Sequence, residues 1–124
     1  MKDKTILIID DDKEMLAVLE EYFSSQGFKV RGFFEPKEAL SYLNSLPVGE
    51  KISAIVSDIC MPDISGIDLL VETQQIDQRI PVIMISAFSA PYYEQDALSN
   101  GAYAFITKPF PLSKVASAVT QAIA

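Results

Sequence analysis

Histidine is absent from this 124-residue chain, cysteine occurs once, and only ten lysines and arginines stand against seventeen aspartates and glutamates. The absence of histidine and of a second cysteine argues against zinc. The lone Cys60 cannot pair within the chain, so the core is expected to form without crosslinks, as a reducing, cytoplasmic compartment permits. A net charge of −7 disfavours nucleic acid and anionic membranes as partners and favours cationic ligands. Long apolar runs are missing too. Lys2 and Lys4 precede Ile6 to Ile9, but four residues fall short of the ~7 to 15 apolar residues of a signal peptide, and no segment approaches a membrane span. There is no internal repeat, low-complexity tract or interdomain linker, so a single domain over 1–124 is expected.

What is present is a regular alternation. Five short β-branched runs, Thr5 to Ile9, Phe28 to Phe33, Ile52 to Ser57, Pro81 to Ile85 and Tyr103 to Ile106, are separated by four segments of helical spacing and followed by a fifth. Ile6-Leu7-Ile8-Ile9 and Val82-Ile83-Met84-Ile85 do not alternate with polar residues, so both faces of those strands should be covered. This predicts a doubly wound (βα)5 domain with a parallel sheet between helix layers.

Punctuation agrees. Asp11 with Glu14 reads as a capping-box-like pair opening the first helix, which Gln26-Gly27 stops, and Pro36 suits a first helical turn. Ser65 with Asp68 caps a third helix. Asn100-Gly101 ends a fourth, and Pro111 starts a fifth with Val115, Val119 and Ile123 at spacings of four. Leu46 to Lys51 is a helix-to-strand loop. In the first helix Met15, Leu19, Tyr22 and Phe23 form the expected core stripe, leaving Leu16 outside to help dock a phosphodonor.

Parallel doubly wound sheets bind ligands at the carboxyl ends of their strands. There the runs end in Asp10-Asp11-Asp12, Asp58, Ser86-Ala87 and Thr107-Lys108-Pro109. A dinucleotide or flavin phosphate site needs a Gly-rich or Ser/Thr-rich first loop, and this loop offers aspartates. Two carboxylates at ~4 Å repel by roughly 4 kcal/mol at an effective dielectric of ~20, so Asp10, Asp11 and Asp58 cannot all stay ionised without compensation. A hard divalent cation, Mg²⁺ or alternatively Mn²⁺, removes the conflict. If Asp58 attacks phosphorus, Lys108 supplies a second positive charge and the Ser86 hydroxyl a hydrogen bond to a phosphoryl oxygen.

These residues resemble the response-regulator receiver family of two-component signalling, of which the chemotaxis regulator is the simplest member. The resemblance spans essentially the whole chain. It rests on the acidic pair after the first strand, Ser57-Asp58-Ile59-Cys60-Met61-Pro62 followed by Gly66, Ser86-Ala87, and Lys108-Pro109-Phe110, in family order and spacing. It implies a flavodoxin-like fold with strand order 2-1-3-4-5. It also implies phosphorylation of Asp58, Mg²⁺ held directly by Asp11 and Asp58 with Asp10 acting largely through water, and the backbone carbonyl of Cys60 as a further ligand. Ser86 and Phe105 are the implied switch pair, and Lys108-Pro109 the implied cis peptide bond, aiming the lysine into the site. Phe105 stands where many members carry Tyr, Ser65 where an acidic residue is common, and Phe88 where a polar one is frequent.

Taken singly, each residue has a plainer role. One aspartate suffices to cap a helix, Asp58 suits a turn before Met61-Pro62, Ser86 a backbone hydrogen bond, and Phe105 the core. Their shared place at the strand ends is what distinguishes them. An aspartyl phosphatase of the haloacid-dehalogenase type is a rival reading, but no Asp or Glu follows Lys108 to complete that family's metal site. A phosphorylation-independent interaction module normally lacks part of the acidic site. The resemblance therefore favours a signalling switch over an enzyme. Its phosphodonor would be a sensor histidine kinase or a histidine phosphotransfer domain, and its output would pass through the surface around the fourth helix, fifth strand and fifth helix to a downstream domain, partner protein or second copy. Tyr92, Tyr93 and Tyr103 lie there.

Overall fold

The computed structural model describes residues 4–59, 65–86 and 91–124. Ten elements alternate along them: β1 (Thr5–Ile9), α1 (Lys13–Ser25), β2 (Lys29–Phe33), α2 (Pro36–Asn44), β3 (Ala54–Asp58), α3 (Gly66–Ile76), β4 (Val82–Ser86), α4 (Pro91–Ser99), β5 (Ala104–Thr107) and α5 (Leu112–Ile123). The five strands pair in parallel in the order β2-β1-β3-β4-β5, the doubly wound arrangement expected.

The strand periodicity of two sorts the core into two clusters. Leu7, Ile9, Ile55 and Met84 face one way and meet Ala39 and Leu43 of α2, Leu69 and Leu70 of α3, and Ala97 of α4. Ile6, Ile8, Val56, Ile83 and Ile85 face the other way, onto Leu16, Leu19 and Phe23 of α1 and Val115 and Val119 of α5. Because β1, β3 and β4 are buried on both faces, their sequences carry no polar alternation. β2, on the edge, alone has the exposed residues Lys29 and Arg31.

Several expectations shift. Leu16 does not point outward: it is 2% exposed and central to the α1 stripe, so it offers no docking surface. Leu16 and Phe23 are seven residues apart, nearly two helical turns, and so lie almost one above the other. Met15 and Tyr22 flank that stripe half-buried. The cap of α1 is Asp12, not Asp11; its carboxylate accepts from the amides of Glu14 at 3.0 Å and Met15 at 3.3 Å.

The strands start later than the apolar runs. Phe28 and Ile52 are buried but precede their ladders, as do Pro81 and Tyr103, so Asp58, Ser86 and Thr107 are the last residues inside β3, β4 and β5. Pro111 is the cap of α5 and Leu112 its first residue; Ile123 is only half-buried. The remaining punctuation is as read. Ser65 accepts from the Asp68 amide, Pro36 opens α2, and Gly27 and Gly101 end α1 and α4 at φ of 95° and 102°, where a side chain would be strained. Among the described residues no helix is long and apolar enough to cross a membrane.

Candidate functional site

Register aligns the strand ends. Ile9 pairs with Phe33 and Ser57, Asp58 with Ile85, and Ser86 with Thr107, so Asp10, Asp58, Ser86 and Lys108 emerge along one edge of the sheet. The Asp10 amide donates to the Phe33 carbonyl at 3.1 Å, extending the ladder one residue and fixing where Asp11 leaves the sheet. Asp10, Asp11 and Asp58 each place a carboxylate oxygen within 4.8 Å of the others. Asp10 and Asp58 are buried and Asp11 is exposed.

The buried pair is electrostatically uneasy. Asp10 is fully buried; one oxygen accepts from the Asp12 amide at 2.9 Å, whereas Oδ2 has no hydrogen bond among the described residues. The Lys108 ammonium lies 3.7 Å from that oxygen and 3.3 Å from Asp58 Oδ2. Burial pushes the Asp10 carboxyl up from 3.8 to about 6, with the neighbouring Asp58 charge adding to the rise; the Asp12 amide and Lys108 oppose it. One ammonium against three carboxylates leaves an excess of negative charge. Only hard oxygen donors converge here, with one carboxylate open to solvent, which fits an octahedral divalent cation that retains waters.

Ser86 is buried at the end of β4, and its carbonyl accepts from the Lys108 amide at 2.6 Å. The Lys108–Pro109 peptide bond is cis. Phe105 pairs with Met84 and packs half-buried against the cluster of Leu7 and Ile9, one layer below the rim. The Cys60 carbonyl, with Met61, Pro62, Ala87 and Phe88, lies outside the described residues. So does the Tyr92 side chain. Tyr93 packs against the core and Tyr103 is 47% exposed.

One residue gains a role that the sequence did not assign. The Gly66 amide donates to the Ile59 carbonyl at 2.7 Å, and a Cβ at Gly66 would stand 2.6 Å from the Asp58 carbonyl oxygen and 2.8 Å from Met84 Cε. The start of α3 therefore presses directly on the backbone that carries Asp58. A glycine eight residues past the strand-end Asp58 is the sequence signal, and it does not reveal the approach.

Comparison with known proteins agrees with this geometry. The family model for the response regulator receiver domain matches residues 6–120. The chain is 33% identical over 119 residues to the phosphoglycerate transport system transcriptional regulatory protein PgtA of Salmonella typhimurium, covering 96% of the chain and 28% of that protein. It is 35% identical over 119 residues to the regulatory protein VanRc of Enterococcus gallinarum, covering 94% and 48%. The chain thus spans from about a quarter to about half the length of such relatives. Among solved structures, the receiver domain of the Francisella response regulator 1452 superposes with a TM-score of 0.86 at 28% identity, over 97% of this chain and 96% of that one. With the ladder order, the acidic rim and the family match in agreement, this chain belongs to the response regulator receiver domains of two-component systems.

Proposed function

We propose that the chain is a phosphorylation-operated switch in which Asp58 accepts a phosphoryl group from a phosphohistidine donor in the presence of Mg²⁺. The observation that carries this reading is the fully buried Asp10 Oδ2, without a hydrogen bond among the described residues, beside Asp11 and Asp58 and 3.7 Å from the Lys108 ammonium. Asp11 and Asp58, with Asp10 behind them and the Cys60 carbonyl, would hold the ion, which when bound neutralises phosphoryl oxygens and the acidic cluster.

Asp58 supplies the nucleophilic carboxylate oxygen; phosphorus–oxygen bond formation there breaks the donor's phosphorus–nitrogen bond, and a donor ring already protonated on its other nitrogen keeps that electron pair and departs as neutral imidazole. Lys108, already 3.3 Å from Asp58, offers its ammonium to the negative charge arriving on the acceptor. The Ser86 hydroxyl, one strand away, donates to a phosphoryl oxygen, and Phe105 fills the space beneath. Adding about −1.5 to −2 of charge shifts the population toward an arrangement of α4, β5 and α5 that a downstream domain or protein recognises, with Tyr103 exposed on that side. The same site makes the chain a participant in its own phosphorylation and dephosphorylation rather than an enzyme acting on separate substrates.

The test is incubation with acetyl phosphate followed by intact-mass and peptide mass spectrometry. One added phosphoryl group on Asp58, formed with Mg²⁺ and absent with EDTA or in Asp58→Asn, is the expected result. Modification elsewhere, or equal modification without divalent ion, would overturn the reading.

A further inference from the structure

The opposite edge of the sheet, where the strands begin, carries the reverse charge. A cavity of about 220 Å³ opens there between the residues leading into β1, β3 and β4 and the end of α5, with Ile123 on its wall. Lys4, Lys51 and Arg79 line it, three of the ten basic residues in a chain of net charge −7. Among the described residues Asp77 is the one carboxylate in the lining, and it is committed to Arg79. Its oxygens accept from the Arg79 amide at 3.0 Å, from Nε at 3.0 Å and from Nη2 at 3.2 Å. Those bonds, helped by Lys51, hold the Asp77 carboxyl below its ordinary value.

The pairing uses two of the five N–H donors of the guanidinium. Among the described residues the lining holds no further carboxylate to offset the two lysines, and Ser53 adds a hydroxyl. From this concentration of positive charge in a concave site on an acidic protein, we infer that the cavity binds a small oxyanion carrying at least two negative charges, of the phosphate or polycarboxylate class. Its volume lies below the roughly 300 to 1,000 Å³ of pockets for larger ligands. The mixed donors suit an anion that accepts from a guanidinium fork and two ammonium groups together. Occupancy would tie the starts of three strands to the end of α5, at the far edge of the sheet from Asp58. It requires neither Mg²⁺ nor phosphorylation.

The experiment is an amide-resolved NMR titration of the chain in EDTA at constant ionic strength, with inorganic phosphate in one arm, citrate in another and sodium chloride as the control. Melting temperature is a poor readout, because phosphate raises it for most proteins by exclusion from the surface. Saturable shifts at Ser53, Arg79 and Ile123 with phosphate or citrate are expected, and the tighter arm identifies the ligand class. Lys4→Gln/Lys51→Gln should weaken the affinity about tenfold or more, while Lys37→Gln/Lys114→Gln, altered on exposed helical positions elsewhere, should bind as the parent does. Shifts that never saturate, that chloride reproduces, or that persist in the Lys4→Gln/Lys51→Gln protein would overturn the assignment.

Discussion

The Lys108 ammonium lies 3.7 Å from Asp10 Oδ2, a fully buried carboxylate oxygen with no hydrogen bond among the described residues, while standing 3.3 Å from Asp58. One cation is thus divided between two acids that burial disfavours as a charged pair. Its position decides how the rim behaves when no divalent ion is bound.

The Asp10 carboxyl is raised from 3.8 to about 6, so between those values the folded protein holds a proton that the unfolded chain releases. The stabilisation is complete below about pH 4 and is lost as pH rises through 6. In EDTA, Asp10→Asn should therefore be more stable than the parent at pH 7.5 by on the order of 2 to 3 kcal/mol, with the difference closing near pH 4. Saturating Mg²⁺ should narrow or reverse the difference at pH 7.5 by stabilising the parent more than the variant. Urea midpoints under these conditions measure both effects.

Gly66→Ala should cost about 1 to 3 kcal/mol, because the added methyl meets the Asp58 carbonyl oxygen and Met84 Cε rather than open space. Since the displaced backbone carries the acceptor, Mg²⁺ affinity should fall as well. Equilibrium unfolding and a Mg²⁺ titration on the same protein check the two together; a stable variant with unchanged affinity would show that the start of α3 does not hold the acceptor in place.

The neighbouring aspartates should separate cleanly. Asp12→Ala removes the α1 cap and should cost about 1 kcal/mol. Asp11→Ala, at an exposed position with no capping bond, should leave metal-free stability nearly unchanged but sharply weaken Mg²⁺ binding. Comparing denaturation in EDTA with isothermal titration distinguishes cap from ligand.

Leu16→Ala should lose about 2 to 5 kcal/mol, as expected of a buried leucine between α1 and the sheet. If folded at low temperature, the variant should accept phosphate from acetyl phosphate at the parent's rate. A normal urea midpoint with slowed phosphotransfer would instead restore the surface role that burial removes.

The architecture was legible because β1, β3 and β4 are buried on both faces and leave an unbroken apolar signature. The acids, hydroxyl and amine were legible because a parallel sheet brings its strand ends to one rim. Finer assignments were not. Any of three consecutive aspartates has the chemistry to cap α1; Asp10 is held in the sheet by its amide bond to Phe33 and takes the Asp12 amide on its carboxylate, which leaves the third to cap. Leu16 and Met15 both satisfy helical spacing against Leu19, and the choice depends on where α5 covers the sheet. Phe28, Ile52 and Tyr103 have strand-like side chains but precede the paired ladder, which sequence composition does not mark. The approach of Gly66 to the Asp58 carbonyl is a contact across eight residues of chain, which local pattern does not report.

The short bond from the Lys108 amide to the Ser86 carbonyl has a mechanical meaning. It clips the outgoing ends of β4 and β5 to each other immediately beyond their last ladder pair, so hydroxyl and ammonium are mounted on a common bracket. The backbones that carry them cannot part at this rim without breaking that bond.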